Sequence, residues 1–113
     1  ETSIRIFKVA QAYAAGRGVI IADTKMEYGL IDGQLILIDE LFTADSSRFW
    51  SQDDYIPGTS PRSFDKQFVR NWLLESGWDR EPPAPDLPAD IVRKTRDRYV
   101  QAYERLTGDT FVA

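Results

Sequence analysis

The chain contains no cysteine among its 113 residues, which excludes a disulfide scaffold, a thiolate metal site and a cysteine nucleophile. It agrees with a reducing compartment, and the cytoplasm is the default expectation. No apolar run approaches the roughly 20 residues of a membrane span, and Glu1-Thr2-Ser3 has neither the basic nor the apolar region of a signal peptide. It also lacks an initiator methionine. An excess of positive charge is missing too: the net charge of -4 disfavours a nucleic-acid binder working through a basic surface.

What is present suits one globular domain or a piece of a larger one. Apolar residues make up 42% of the chain, with three Trp, five Tyr and six Phe, which excludes a disordered tail. The cations are unevenly spread, since Arg48, Arg62, Lys66 and Arg70 fall in one stretch. A small anionic ligand could use them.

Periodicity predicts α+β architecture. Ser3 to Ala15 carries Ile4, Phe7, Ala10 and Ala14 at helical spacing, with Thr2 or Ser3 as N-cap and Gly16 as a left-handed stop. A strand is expected from Val19 to about Leu30, a turn at Asp32-Gly33, and a returning strand from Gln34 to Asp39. Residues 41 to 64 read as a long ordered loop anchored by Phe49, Trp50 and Tyr55, of a length that is usually functional or docked. Two C-terminal helices follow. The first runs from Ser63 or Phe64 to Ser76 with Phe68, Val69, Trp72 and Leu73 on one face; the second runs from about Pro88 to Leu106 and stops at Thr107-Gly108. A hairpin is marginal alone, so it must pack on helices or pair with further strands.

Charges interrupt the predicted strand. In a continuous strand Asp23, Lys25, Glu27 and Gly29 share one face, opposite Ala22, Thr24, Met26 and Tyr28. One explanation is a solvated face with a cross-strand ion pair. The other is a ligand site, and its test is Asp39. A two-residue turn would set Met26 opposite Asp39, with Glu27 and Asp39 on opposite faces. A three-residue loop with a glycine bulge would set Glu27 opposite Asp39, with Cβ atoms about 5 Å apart. Two carboxylates so placed call for a cation, and two carboxylates plus substrate phosphates are a usual Mg²⁺ set. We therefore expect the bulged register and a Mg²⁺ site. Lys66 and Arg70, at i and i+4 on a helix, with Arg48 from the loop, form either a solvated basic face or a phosphate cradle.

Asp23-Thr24-Lys25-Met26-Glu27-Tyr28-Gly29, Leu37-Ile38-Asp39-Glu40, Asp45-Ser46-Ser47-Arg48-Phe49-Trp50, Ser63 to Leu73 and Tyr103-Glu104-Arg105-Leu106-Thr107-Gly108 together resemble SAICAR synthase, phosphoribosylaminoimidazole-succinocarboxamide synthase. The resemblance implies an ATP-dependent ligase of purine biosynthesis that joins L-aspartate to carboxyaminoimidazole ribotide, giving SAICAR, ADP and phosphate. The carboxylate would be activated as an acyl phosphate and then attacked by the aspartate amine. No protein nucleophile is needed, which suits a chain without His or Cys.

Residue by residue, the resemblance makes Glu27 and Asp39 Mg²⁺ ligands and Lys25 and Lys66 catalytic cations. It assigns Asp23, Asp45, Ser47, Arg48 and Arg70 to substrate. It also implies that residues 1–113 are a C-terminal portion, inactive alone, with an N-terminal ATP-binding lobe absent. That lobe, a companion chain or a second copy would then cover exposed apolar surface; neither nucleic acid nor membrane is an expected partner. The alternative is a non-catalytic, Mg²⁺-dependent nucleotide or phosphate-binding module.

Overall fold

The computed structural model describes residues 1–113. Helix α1, Thr2–Ala15, leads into strand β1, Val19–Thr24; strands β2, Tyr28–Ile31, and β3, Gln34–Leu37, form a hairpin. Strand β4, Ser47–Ser51, then precedes helices α2, Gln67–Glu75, and α3, Ala89–Thr107. The expected α+β order holds.

The core forms where α1 and the end of α3 close over β1 and β4. Ala14, Val19, Ile21, Phe49, Phe64 and Ala102 are its buried residues, with Phe7, Ala10, Phe42 and Leu106 packed around them. Arg105 locks this corner. Its guanidinium donates to the Gly18 carbonyl at 3.2 Å, pairs with Asp53 at 3.2 Å and lies over Phe64 at 4.9 Å. Gly18, at φ 74°, supplies the left-handed step into β1. Gly16 was expected as the left-handed stop of α1, but its φ of -64° is right-handed, and residues 16–18 form a turn.

The stretch expected to be loop from 41 to 64 contains β4, which is hydrogen-bonded along both edges. On one edge β4 pairs antiparallel with β1; on the other the Phe64 amide donates to the Phe49 carbonyl and the Ser51 amide to the Arg62 carbonyl, each at 2.9 Å. Its side chains alternate: Ser47, Phe49 and Ser51 are buried while Arg48 and Trp50 turn outward.

The single strand expected from Val19 to Leu30 is two. Lys25, Met26 and Glu27 separate β1 from β2, and the Lys25 amide donates to the Ser46 carbonyl at 2.9 Å. The register of the hairpin is corrected as well. Ile31 pairs with Gln34 and Tyr28 with Leu37, so Asp32 and Gly33, at φ 51° and 77°, form a two-residue turn of the type I′ kind. No bulge lies there. The Ile38 amide donates to the Glu27 carbonyl at 3.1 Å, so Glu27 stands across from Ile38 and not from Asp39.

Only twelve of the 113 residues are buried, and the radius of gyration is 16.4 Å, against about 13 Å for a compact domain of this length. The hairpin is among the least covered parts. Leu30, Ile31, Leu35 and Ile38 are exposed on it, and its base is held to α1 by the Ser3 hydroxyl donating to the Tyr28 hydroxyl at 2.9 Å.

Candidate functional site

Asp23 would lie opposite Ser47 in an unbroken antiparallel ladder, because Ile21 pairs with Phe49. Instead the ladder skips Ala22, and Asp23 pairs with Arg48 while Thr24 pairs with Ser47. This β-bulge re-aims the two charged side chains onto one another. Arg48 Nε donates to both Asp23 oxygens at 3.0 Å, and a terminal nitrogen completes the fork. The hydrogen bonds from Arg48 hold the Asp23 carboxyl below its usual range, with the Arg48 charge adding to them against the opposing effect of burial.

The other wall is the start of α2, and its geometry depends on Asp65. Asp65 is 1% exposed. One carboxylate oxygen accepts from the Phe49 amide at 2.9 Å and from the Ser63 hydroxyl; the other accepts from the Gln67 amide at 2.7 Å. It therefore caps the first turn of α2 and ties that turn to β4. This residue was missed in the sequence reading. Its signal was present, in a Ser-x-Asp immediately before an amphipathic helix.

Lys66 and Arg70 follow one turn apart, the Arg70 amide donating to the Lys66 carbonyl at 3.1 Å. Lys66 Nζ lies 3.4 Å from Asp45. Of the cations in this stretch, Arg48, Arg62 and Lys66 each have a carboxylate partner, whereas Arg70 has none. Ser47 is buried and its hydroxyl lies 2.8 Å from that of Thr24.

These groups surround one polar cleft of about 170 Å³. It is lined by Asp23, Asp45, Ser46, Ser47, Arg48, Asp65, Lys66, Gln67 and Arg70, with no apolar residue among them. All five residues expected to hold substrate are there, and so is Lys66. A volume of this order accepts a phosphate group, and the Arg and Lys donors match one.

Lys25, Glu27 and Asp39 stand apart from that cleft. The Lys25 ammonium pairs with Glu27, and its pKa is raised, first by the hydrogen bond and charge of Glu27 and then by Asp39 and Glu40. The carboxylates thus act on one cation without the bulged register. Beyond β3 the Ile38 amide makes the last bond across the hairpin, and Asp39 and Glu40 act on Lys25 by charge from outside the ladder.

The two-residue turn leaves Glu27 paired with Lys25 and sets Asp39 on the other face of the ladder, so the expected face-to-face carboxylate pair for a hard, oxygen-liganded ion such as Mg²⁺ is not formed. No cluster of three or more acidic groups in metal-binding geometry occurs. Glu27 and Asp39 would need phosphate oxygens or water to complete a shell.

The SAICAR synthetase family model matches residues 1–85. The chain belongs to the SAICAR synthetase family. Phosphoribosylaminoimidazole-succinocarboxamide synthase of Methylobacillus flagellatus is 56% identical over 112 residues, covering 98% of this chain and 38% of that protein. A Saccharomyces cerevisiae SAICAR synthase solved in complex with SAICAR superposes with a TM-score of 0.86 at 41% identity, covering 98% of this chain and 38% of the other. A SAICAR synthetase solved in complex with ADP gives 0.68 at 25% identity and covers 37% of that chain. The chain thus spans under two-fifths of the length of these family members. No helix is long and apolar enough to cross a membrane.

Proposed function

We propose that residues 1–113 supply the ribotide-phosphate and metal-binding part of an ATP-dependent ligase that joins L-aspartate to carboxyaminoimidazole ribotide, yielding SAICAR, ADP and phosphate in the cytoplasm. The observation that carries this reading is the polar cleft, where Asp23, Asp45, Ser47, Arg48, Lys66 and Arg70 meet in a member of this family. Family members solved with SAICAR and with ADP support the same ligand classes.

In this proposal Arg70, which lacks a carboxylate partner, takes the ribotide phosphate, and Arg48, held rigid by Asp23, orients the ribotide. Lys66 and Lys25 neutralise charge on the transferred phosphoryl group. The substrate carboxylate attacks the γ-phosphorus and ADP leaves. The aspartate amine then attacks the acyl carbon, phosphate leaves, and the amine proton passes to solvent. Bound Mg²⁺, held by Glu27 and Asp39, would supply charge neutralisation at the nucleotide phosphates.

The lobe that binds the rest of ATP lies in the part of the family not represented in these 113 residues. The chain alone binds phosphate and does not turn over. The test is to mix it with the N-terminal remainder of the M. flagellatus enzyme and follow ADP release. Aspartate-dependent, Mg²⁺-dependent ADP formation in the mixture, and in neither component, is the expected result. A chain that docks with the remainder yet gives no ADP, and binds no inorganic phosphate, would overturn it.

A further inference from the structure

Arg105 lines no part of the polar cleft, yet its guanidinium lies against the ring of Phe64, the residue before Asp65. Phe64 is fully buried, and two cations bear on its ring: Arg105 at 4.9 Å and Arg62 at 5.7 Å from the centroid. One short turn, Gln52–Asp54, supplies the partner of each. Asp53 pairs with Arg105 at 3.2 Å and Asp54 with Arg62 at 3.1 Å. The Gly18 carbonyl that accepts from Arg105 also accepts from the Gln52 amide, at 3.0 Å. Arg105 is therefore pinned to a carbonyl, a carboxylate and a ring at once, which a lysine ammonium cannot reproduce.

What Phe64 carries follows it in the chain. Its amide donates to the Phe49 carbonyl at 2.9 Å, and the Asp65 carboxylate accepts from the Phe49 amide at the same distance. Residues 64 and 65 thus clasp Phe49 of β4 together, so a slide of the Phe64 ring takes the Asp65 carboxylate with it. That carboxylate caps α2 through the Gln67 amide, and Lys66, Gln67 and Arg70 line the cleft from the capped turn. Helix α3 reaches this segment a second time, through Arg98 donating to the Ser63 carbonyl.

The Asp53–Arg105 pair is too exposed on its acidic side to matter much for stability. Position is another matter, because donors to a phosphate must sit at hydrogen-bond distance, and a shift of about 1 Å can cost on the order of a hundredfold in a reaction.

We propose that Arg105 is a positioning residue for the polar cleft. Oriented by Asp53, it seats Phe64, and through Asp65 it sets where Lys66 and Arg70 stand. That the cleft takes a phosphate rests on the function proposed above; the seating of α2 does not.

The test uses amide NMR spectra of the chain and titration with inorganic phosphate, on Arg105→Gln, Arg105→Lys, Asp53→Asn and Tyr13→Phe. Tyr13→Phe is the control for the same corner, since its hydroxyl donates to the Leu106 carbonyl and meets neither Phe64 nor Asp65. In Arg105→Gln the Phe49 and Gln67 amides, both bonded to Asp65, should shift before phosphate is added. Phosphate should then bind about fivefold more weakly or worse, at a temperature where the spectrum is folded. Asp53→Asn should show part of that loss with nearly unchanged thermal unfolding, and Arg105→Lys should recover stability more than affinity. Tyr13→Phe should lower Tm and leave phosphate affinity as it was. Native phosphate affinity in Arg105→Gln, unmoved Phe49 and Gln67 amides, or an equal loss of affinity in Tyr13→Phe would reduce Arg105 to a stabiliser of the corner and overturn the proposal. If Arg105→Gln does not fold, Asp53→Asn decides by the same readouts. If the native chain binds no phosphate, the function proposed above falls, and the amide shifts alone decide this inference.

Discussion

Asp23 meets Arg48 because Ala22 is bulged out of the ladder between β1 and β4. Had the pairing been regular, Arg48 would face the Ala22 methyl. The pair is half-exposed, so its effect on stability is small and screened; its effect on orientation is not. Arg48→Lys keeps the charge and loses the fork. The expected result is nearly unchanged thermal unfolding with weaker ribotide binding, measured by calorimetry of both. Unchanged ribotide affinity would remove Arg48 from the site.

Acid should loosen this corner in a defined direction. The folded-state pKa of Asp23 is depressed from 3.8, so its contribution is present above that value and is lost as pH falls through the lower folded-state value. Stability of the native chain minus that of Asp23→Asn should be flat from neutral pH down to about 4 and then shrink. A difference that shrinks at neutral pH instead would show that the pair is not formed in solution.

Asp65 carries a larger penalty. Replacing it by Ala leaves the buried Phe49 amide without an acceptor and uncaps α2. A loss of about 2–4 kcal/mol in urea unfolding is expected. Asp65→Asn should fall between, since one acceptor oxygen survives. A loss below that of an exposed-surface substitution would contradict the tie between β4 and α2.

Arg70 and Lys66 separate binding from stability. Arg70→Gln removes a cation that has no ion pair, so unfolding should be unaffected while inorganic phosphate binds about tenfold more weakly. Lys66→Gln should behave similarly, with Asp45 left unpaired at an exposed position. Phosphate affinity unchanged from the native chain in both variants would leave the cleft as a solvated basic face.

The hairpin should make the chain self-associate. Leu30 and Leu35 are cross-strand partners and remain 72% and 52% exposed. Light scattering should show mass rising with concentration, and Leu30→Lys with Leu35→Glu should abolish the rise by charging that face. A native chain that stays monomeric at high concentration would mean this face is not adhesive.

How far the sequence foretold this structure depended on whether local pattern decided the matter. The helices carried 3.6-residue apolar spacing, and α3 carried a Gly108 stop whose φ is 79°. The hairpin carried Asp32-Gly33. β4 was overlooked because its five residues mix Ser, Arg and aromatics, and its alternation makes sense only beside β1 and residues 62–64. The Ala22 bulge is likewise a property of two strands, not one. The two-residue turn set the hairpin register against a bulge that had been favoured for the sake of a metal site. Asp23, Asp45, Ser47, Arg48, Lys66 and Arg70 were selected by family resemblance, and their convergence is tertiary. Arg98 was unreadable, since nothing in α3 distinguishes it from Arg93 or Arg96 until Phe68 and Ser63 are placed beside it.

The Arg105 clasp has a consequence for synthesis on the ribosome. Ala14 and Val19 emerge early, but Ala102, Arg105 and Leu106 complete the core they begin. Because those closing contacts span nearly the whole sequence, β1 can pair with β4 and pack on α1 as they emerge, but the corner that Ala102 and Arg105 seal stays open until the last helix has left the exit tunnel. A nascent chain stalled before residue 102 should therefore present that open corner to chaperones.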